Sequence, residues 1–469
     1  MLNQNLSRRE ERPFISNNGN EEEFRSPYER DYDRIIYSTA FRRLAGVTQV
    51  VNPSEGQIFH NRLTHSLKVA QVGKRIAQKL LHDSESSNQE LIQTWGGLQP
   101  EVVENAALAH DLGNPPFGHI AETELRRLVE ENTIENLQGE EISRLSFEGN
   151  AQSFRIVNLL AIAYEEFDGL NLTAATQNAI LKYPWCKSKK NEKKFGVYEE
   201  ENEIFELIRR PYSNLHANKQ RTLEAAIMDI ADDITYAIHD FEDFFRANII
   251  PFGNFDYEIL KQLLADSIRD GFDTWYLNFN VDEISPALDT FFDLINSIPI
   301  KSPFTGDSRD RINLHVLTST LLKHFTYNIS INSNFGKNEQ PIKMPSISGL
   351  VLLYLKRLSK YFVIDNPKLL RQQYGEKEII KYLFSTFMDS LNDNDSTWKK
   401  TWHRLLPYSC SERFSLLQNS IAKNTENKMH QKVRIVADAI SCMTDQEAIQ
   451  TYLRLTGIST GSMFDNILL

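Results

Sequence analysis

A histidine–aspartate pair and a more distant histidine are the first residues whose types could do metal chemistry. His110 and Asp111 lie in the last turn of a predicted helical segment that stops at Gly113, and the partial negative charge at a helix C-terminus favours a bound cation. His65 lies three residues after Arg62, so the two side chains share one helix face. An imidazole for a metal and a guanidinium for a phosphate would then share one pocket. Taken singly, each residue also fits an ordinary polar position at the surface or at a helix end.

Four aspartates crowd the helical segment DIADDITYAIHDFED, between Asp229 and Asp240. An apolar stripe occupies one side of this helix, and Asp232, Tyr236 and Asp240 follow at steps of four residues on the other side. Periodicity alone favours a solvated acidic face. Such crowding, with few basic residues to pair it, is costly unless a cation or water screens the charges. Asp232 and its neighbour Asp233 therefore both remain candidates for a metal ligand.

A histidine and a glutamate on the next helix could transfer protons. In the segment HDLGNPPFGHIAE, a turn is followed by His119 and Glu122, three residues apart on one helix. A carboxylate beside an imidazole can orient it for general acid or base catalysis. The alternative is the ordinary polarity of a helix N-terminus.

Basic residues elsewhere could neutralise an anionic substrate. Arg42 and Arg43 are adjacent in one segment, and Lys182, Tyr183 and Lys194 belong to a second segment that is rich in lysine. Lysines in a charged loop are also often merely solvated, so these residues are candidates for phosphate contacts only if the fold gathers them.

The composition is ordinary for a globular protein and limits the classes of function. The chain has 469 residues, 41% of them hydrophobic, and a net charge of −11, which argues against nonspecific nucleic-acid binding. An anionic substrate therefore needs a local basic pocket. The three cysteines are far apart and form no CxxC pair, which predicts a reducing compartment. No apolar run is long enough to span a bilayer and no signal peptide is evident, so we expect no membrane partner and a cytoplasmic location.

Helical periodicity dominates the chain, and strand signals are few. The spacing predicts helices over residues 63–81, 101–112, 119–141, 223–246, 284–296, 313–328, 346–362, 376–392 and 428–456. It predicts a loop or short hairpin over residues 183–203, and loops over 332–344 and 391–396.

The order of the candidate residues and the words around them resemble a known family. His65, His110-Asp111 and a later aspartate follow the H…HD…D order of the HD superfamily. Six segments, from about Arg30 to Asp445, together look like the bacterial deoxyguanosine triphosphate triphosphohydrolases. These segments are FRRLAGVTQV, NRLTHSLKVAQVG, ALAHDLGNPPFGH, LKYPW, ADDITYAIHDFED and RIVADAISCMTD.

This resemblance implies an all-α fold, with an HD-domain helical core and additional C-terminal helices. It implies one divalent metal ion, Mn²⁺, Mg²⁺ or Fe²⁺, bound by four residues: His65, His110, Asp111 and Asp232, with Asp233 as the second choice for the last. Asn114 stands where eukaryotic relatives have a histidine, so a second metal is not expected.

The resemblance also implies roles for other side chains. His119 and Glu122 match the catalytic pair. The substrate-binding positions are Arg62, Lys182, Tyr183, Lys194, Tyr236, Asp240 and Arg434, the last of which comes from a neighbouring subunit in some members. Leu44, Gln49 and Tyr374 are expected neighbours of the base.

Three regions follow from these patterns: a flexible N-terminal arm (1–27), a metal-dependent phosphohydrolase core (28–250), and a helical C-terminal region (251–469) that completes the nucleotide pocket and the oligomer contacts.

The expected reaction converts a deoxynucleoside triphosphate (dNTP), foremost dGTP, to a deoxynucleoside and inorganic triphosphate. Family members are commonly hexamers or tetramers, and single-stranded DNA or a dNTP is a candidate effector. The alternatives are another HD phosphohydrolase, acting as a nucleotidase or a cyclic-nucleotide phosphodiesterase, and an inactive regulator that binds nucleotides or single-stranded DNA.

Overall fold

The computed structural model describes most of the chain. The described residues are 2–15, 23–50, 59–83, 86–134, 145–188, 193–250, 258–259, 261–263, 279–299, 303–336, 339–364, 366–391, 405–406, 410–411 and 425–460.

These residues are predominantly helical, which confirms the predicted all-α fold class. The α-helices of the described part are α1 (Pro27–Ile36), α2 (Thr39–Arg43), α3 (Arg62–His82), α4 (Ser86–Thr94), α5 (Pro100–Ala109), α6 (His119–Ile134), α7 (Gly149–Arg155), α8 (Ala174–Ile180), α9 (Asn202–Arg209), α10 (Ser213–Ala217), α11 (Leu223–Arg246), α12 (Ile284–Asn296), α13 (Ser308–Tyr327), α14 (Ser346–Ser359), α15 (Pro367–Leu391), α16 (Thr425–Ser441) and α17 (Asp445–Leu455). Two short strands, β1 (Ser330–Ile331) and β2 (Ile342–Lys343), pair antiparallel. None of the described helices is long and apolar enough to cross a membrane.

The first of two main hydrophobic cores forms around α3, α5 and α11. The predicted apolar stripe of α11 lies inside it, and each of its side chains is at most 1% exposed. Burying a side chain of this size contributes about 1.5–3 kcal/mol. The stripe comprises Leu223, Ile227, Ile230, Ile234, Ile238, Phe241 and Phe245. Because α14 also packs on α11, residues from the C-terminal half complete this core.

The opposite side of α11 is not a solvated acidic face. Asp229 accepts a hydrogen bond from Arg221 at 2.6 Å, and Asp233 accepts one from Lys356 of α14 at 2.6 Å. Asp232 contacts His65 of α3. Periodicity could not reveal these partners, because two of them lie more than a hundred residues away along the chain.

A second core joins α6 to the C-terminal helices α15, α16 and α17. Leu125 of α6, Phe384 of α15 and Val436 of α16 are all buried in it. The predicted helix 428–456 is two helices, because Thr444 and Glu447 form a capping box that starts α17 after a turn. The helix that carries His119 is thus held by residues near the C-terminus.

Residues 2–15 differ from the flexible arm that composition predicts. Leu6 is buried, Arg9 forms an ion pair with Glu224 of α11, and Arg12 donates to Asp31 of α1 at 2.6 Å. A polar composition conceals this docking, because the partners of both arginines belong to helices elsewhere in the chain.

Gly113 has no room for a side chain, and we expect Gly113→Ala to destabilise the protein. A Cβ atom there would lie 2.2 Å from the backbone nitrogen of Ser153 and 2.3 Å from the carbonyl oxygen of Gly149. Relieving such overlap costs about 1–3 kcal/mol or more, because backbone must move. Thermal unfolding monitored by circular dichroism measures the effect. Gly375→Ala is the matched control, since among the described residues no atom outside the neighbouring backbone of its own helix lies within 4 Å of a Cβ built there; equal melting temperatures for the two variants would contradict this expectation.

Candidate active site

Two helices bring three of the predicted metal ligands together. α3 begins after Asn61, whose side chain caps the helix, so His65 lies in the first turn. α5 ends immediately before His110 and Asp111. Ligand atoms of the two histidines and the aspartate all lie within 4.8 Å of one another, and the three residues are buried. This cluster, called the metal cluster below, could hold a metal ion.

The third helix, α11, adds an aspartate to the metal cluster. The Oδ1 atom of Asp232 lies 2.9 Å from Nε2 of His65 and 3.5 Å from Nε2 of His110. Asp233 points elsewhere, toward Lys356. Of the two aspartates that spacing left open, Asp232 is therefore the one that meets both imidazoles.

The donor atoms suit a divalent cation. Nδ1 of His110 donates to the carbonyl oxygen of Ala107 at 2.6 Å, which leaves the lone pair on Nε2. That Nε2 atom and Nδ1 of His65 are buried and have no hydrogen-bond partner among the described residues. A buried nitrogen without a partner is costly, and a metal ion would satisfy the one on His110. Mixed nitrogen and oxygen ligands suit Mn²⁺, Mg²⁺ or Fe²⁺ without selecting one.

The two carboxylates of this site stay ionised. Burial disfavours the charged form of Asp111, but the charge that His110 carries when no metal is bound and Nε2 is protonated, together with the charge of Arg62, outweighs burial and lowers its pKa. For Asp232, burial is outweighed by Lys182 and then His110, so its pKa falls well below the ordinary value. Ionised carboxylates are the form that binds metal.

Two of the predicted phosphate-binding side chains lie directly at the metal cluster. Arg62 donates through Nη1 to Asp111 at 2.8 Å, while its buried Nε and Nη2 atoms have no hydrogen-bond partner among the described residues. Lys182 forms an ion pair with Asp232 and lies 3.3 Å from Asp229. Tyr183 follows Lys182 in the same segment, half-buried. Two cationic side chains therefore border the metal cluster, and each of them is paired with a carboxylate.

The predicted proton-transfer pair lies at the start of α6. Nδ1 of His119 donates to Glu122 at 3.2 Å, and the imidazole side chain is 74% exposed. Glu122 is buried and also accepts from Arg126 at 3.1 Å, with Lys194 at 3.8 Å. Burial would raise the pKa of Glu122, but the hydrogen bond from His119 and the charge of Lys194 together lower it to about 2. Glu122 is therefore ionised at neutral pH, and it orients an accessible imidazole.

Tyr236 and Asp240 lie further along α11 and interact with each other. Burial and the charge of Asp243 raise the pKa of Asp240 well above its ordinary value, and a hydrogen bond with Tyr236 opposes them. The buried Oδ2 atom of Asp240 has no hydrogen-bond partner among the described residues. The positive charge of Arg62 also acts on Tyr236, where it opposes the rise of the pKa. The pair of Tyr236 and Asp240 therefore lies near Arg62, which contacts the metal cluster.

Arg434 lies apart from the metal cluster. Its guanidinium stacks 3.6 Å from the ring centroid of Tyr198, and it donates to Glu200 at 3.2 Å and to the carbonyl oxygen of Ser146 at 3.1 Å. The predicted approach of Arg434 to a nucleotide therefore finds no support in these contacts and stays a prediction.

The three expected neighbours of the base have different surroundings. Leu44 is fully buried in the first core, and Tyr374 on α15 is 66% exposed. Gln49 is half-buried, and its Oε1 atom has no hydrogen-bond partner among the described residues. No described contact joins the three, and their roles also stay predictions.

Sequence reasoning missed Glu148, Arg126 and Lys356, all of which contact candidate site residues. Arg126 could have been found, because it lies four residues after Glu122 on the same helix. Glu148 and Lys356 contact partners 46 and 123 residues away, so no local spacing indicates them.

Comparisons with known proteins agree with this arrangement. Residues 62–237 match the HD domain, and residues 342–454 match the phosphohydrolase-associated domain. The helical fold, the metal cluster and these two matches define the class of HD-domain phosphohydrolases.

Relatives at about 30% identity identify the family within this class. A deoxyguanosinetriphosphate triphosphohydrolase-like protein of Shewanella halifaxensis is 30% identical over 482 residues, 94% of each chain. Proteins of the same description from Wolinella succinogenes and Corynebacterium glutamicum are each 30% identical, over 92% and 88% of this chain and 96% and 92% of theirs. The chain belongs to the family of deoxyguanosinetriphosphate triphosphohydrolase-like proteins.

Proposed function

We propose that this protein hydrolyses deoxynucleoside triphosphates, foremost dGTP, to a deoxynucleoside and inorganic triphosphate, with one divalent metal ion. The observation that carries the proposal is the convergence of Asp232 with His65 and His110 at 2.9 and 3.5 Å, with Arg62 and Lys182 beside them. It is supported by the descriptions of the relatives, which name deoxyguanosine triphosphate.

His65, His110, Asp111 and Asp232 would hold the metal ion. When bound, such an ion supplies positive charge that polarises a phosphoryl group and favours ionisation of water. The side chains around it divide the remaining tasks among binding, orientation and proton transfer.

Arg62, Lys182 and Lys194 would bind the triphosphate. Each of them is paired with a carboxylate of the protein: Arg62 with Asp111, Lys182 with Asp232, and Lys194 with Glu148. Nε and Nη2 of Arg62 are buried and have no hydrogen-bond partner among the described residues, and we propose that they donate to phosphate oxygens while Nη1 keeps its contact to Asp111. Charges held in place in this way stabilise the negative charge of the transition state.

His119 would transfer the proton. Hydrolysis adds the oxygen of water to the α-phosphorus, breaks the bond from that phosphorus to the 5′ oxygen, and leaves a proton on the 5′ oxygen. An exposed imidazole whose Nδ1 is held by Glu122 presents Nε2 to the substrate, as a general acid or base requires.

The reaction class is tested by incubating the protein with each of the four dNTPs, alone and mixed, with Mn²⁺ or Mg²⁺, and separating the products by chromatography. We expect free deoxyguanosine from dGTP. The mixtures also reveal activation by a second dNTP, and added single-stranded DNA tests the other candidate effector. Monophosphates as the only products, or no turnover under any condition, would contradict the proposed function.

We expect dGTP to be hydrolysed in preference to GTP, and Tyr236→Ala to narrow this preference by about tenfold or more. Tyr236 lies one helical turn from Asp232, a rise of about 6 Å, which is roughly the step from the α-phosphate to the sugar. Its ring would then leave no space for a 2′ hydroxyl, and rejection of this kind reaches about 10²-fold. Asp240 would accept a hydrogen bond from the 3′ hydroxyl.

Competition between dGTP and GTP measures the preference. Tyr236→Phe is the matched control, because it keeps the ring and loses only the hydroxyl that bonds Asp240. A folded, metal-loaded Tyr236→Ala enzyme that discriminates as well as the wild type would place sugar selection elsewhere.

A further inference from the structure

Glu148 is a fully buried carboxylate behind the proton-transfer pair. It precedes α7 and caps that helix, accepting hydrogen bonds from the backbone nitrogens of Asn150 at 2.6 Å and Ala151 at 3.1 Å. The hydroxyl of Tyr198 accepts a hydrogen bond from the backbone nitrogen of Glu148 at 3.3 Å and donates one to the carbonyl oxygen of Glu148 at 3.2 Å. The backbone and the carboxylate of Glu148 are therefore both fixed.

The same carboxylate begins a row of polar contacts that ends at His119. Nζ of Lys194 lies 3.2 Å from Oε1 of Glu148 and 3.8 Å from Oε1 of Glu122. The other oxygen of Glu122, Oε2, accepts from His119 at 3.2 Å. Lys194 thus lies between two carboxylates, one anchored by a helix cap and one that holds the imidazole.

Helix capping alone does not account for a glutamate at this position. Asp, Asn, Ser and Thr are the preferred N-caps, and a neutral one would avoid the cost of burying a charge. Glu148 is 0% exposed, and the negative charge of Glu122 is close enough to disfavour its ionisation further. The ammonium of Lys194 is the cation that compensates Glu148 among the described contacts, so the two side chains depend on each other.

Lys194 in turn needs an anchor. Its side chain is 43% exposed and ends a flexible four-carbon stem, so its ammonium has no fixed place of its own. Without the charge of Glu148, the ammonium would be drawn to Glu122 alone. It would then compete with His119 for that carboxylate and release the imidazole from its orientation.

We propose that Glu148 is a positioning residue, which fixes Lys194 between two carboxylates and through it keeps Glu122 paired with His119. The proposal deepens the proposed function and rests on it, because it assigns a residue that acts on the proton-transfer pair without touching the substrate.

A double-mutant cycle between Glu148→Gln and Lys194→Met tests this role in the metal-loaded enzyme. Gln is isosteric and can still cap α7 through its carbonyl oxygen. We expect Glu148→Gln to lower kcat/KM by about tenfold in the wild-type background, the scale of coupling between contacting residues, and by less than about twofold when Lys194 is already Met. Equal losses in both backgrounds, or no loss in folded Glu148→Gln, would overturn the proposal.

Thermal unfolding separates this role from capping. Loss of the cap would lower the melting temperature to the same extent in both backgrounds, whereas the kinetic effect depends on Lys194. If Glu148→Gln does not fold, Glu148→Asp replaces it in the cycle, because Asp is a preferred N-cap whose shorter side chain withdraws from Lys194. The same non-additivity is then expected, and additive losses overturn the proposal.

A measurement without substrate distinguishes failure of this proposal from failure of the proposed function. In the metal-free protein, the NMR signal of the His119 ring, assigned by its absence in His119→Ala, should shift in Glu148→Gln and in Lys194→Met. A His119 signal unchanged in both variants would refute the positioning role even if no dNTP is hydrolysed.

Discussion

Asp232→Ala is expected to lose the bound divalent metal and all measurable hydrolysis while the protein stays folded. Asp232 lies 2.9 Å from His65 and 3.5 Å from His110, and it comes from a different helix than the other three predicted ligands. Its removal leaves an incomplete set of ligands, and the imidazoles lose the negative charge that attracts a cation. The metal content of purified protein, measured by mass spectrometry after loading with Mn²⁺, reports the loss.

Asp233→Ala is the matched control for this variant. Asp233 is the next residue on α11 and has the same chemistry, but it pairs with Lys356. We expect the Asp233→Ala variant to keep the bound metal and most of the hydrolytic activity. If Asp232→Ala kept its bound metal and Asp233→Ala lost it, Asp233 would be the ligand. That result would contradict the assignment of Asp232.

His119→Ala is expected to keep the metal and lose turnover by about 10² to 10⁴-fold, the contribution of a general acid or base. The imidazole is 74% exposed and lies outside the metal cluster, so its removal should affect neither folding nor metal binding. Glu122→Gln should lose less, because it alters only the orientation of the ring. Single-turnover kinetics with metal-loaded protein measure the chemical step separately from product release.

His216→Ala is a suitable control, because His216 also pairs with a glutamate, Glu206, at 3.1 Å and belongs to no candidate site. Its kcat should equal that of the wild type. A near-normal kcat in metal-loaded His119→Ala would remove His119 from the reaction.

The sequence predicted the metal cluster better than it predicted the surroundings of the cluster. Local patterns, a helix end at His110 and a four-residue repeat along α11, made some of these residues candidates, and the resemblance to a known family joined them with His65 into one set of ligands. Spacing could not choose between Asp232 and Asp233, because that choice depends on how α11 rotates against α3 and α14. The rotation is set by the apolar stripe together with the partners His65 and Lys356.

Other features depended on contacts between distant segments and were missed for that reason. The docking of residues 2–15 requires Asp31 and Glu224, which the composition of the segment cannot indicate. The burial of Glu148 behind His119 requires a loop 46 residues further along the chain. The stacking of Arg434 on Tyr198 joins residues more than two hundred positions apart.

The most direct test of the proposed reaction is phosphorus NMR of dGTP hydrolysis as it proceeds. Our proposal is that Arg62, Lys182 and Lys194 hold all three phosphates while the bond to the 5′ oxygen breaks, so it predicts inorganic triphosphate as the first phosphorus-containing product, in step with free deoxyguanosine. Pyrophosphate or single phosphate appearing first, with deoxyguanosine mono- or diphosphate beside it, would show that a different bond is cut and would contradict the account.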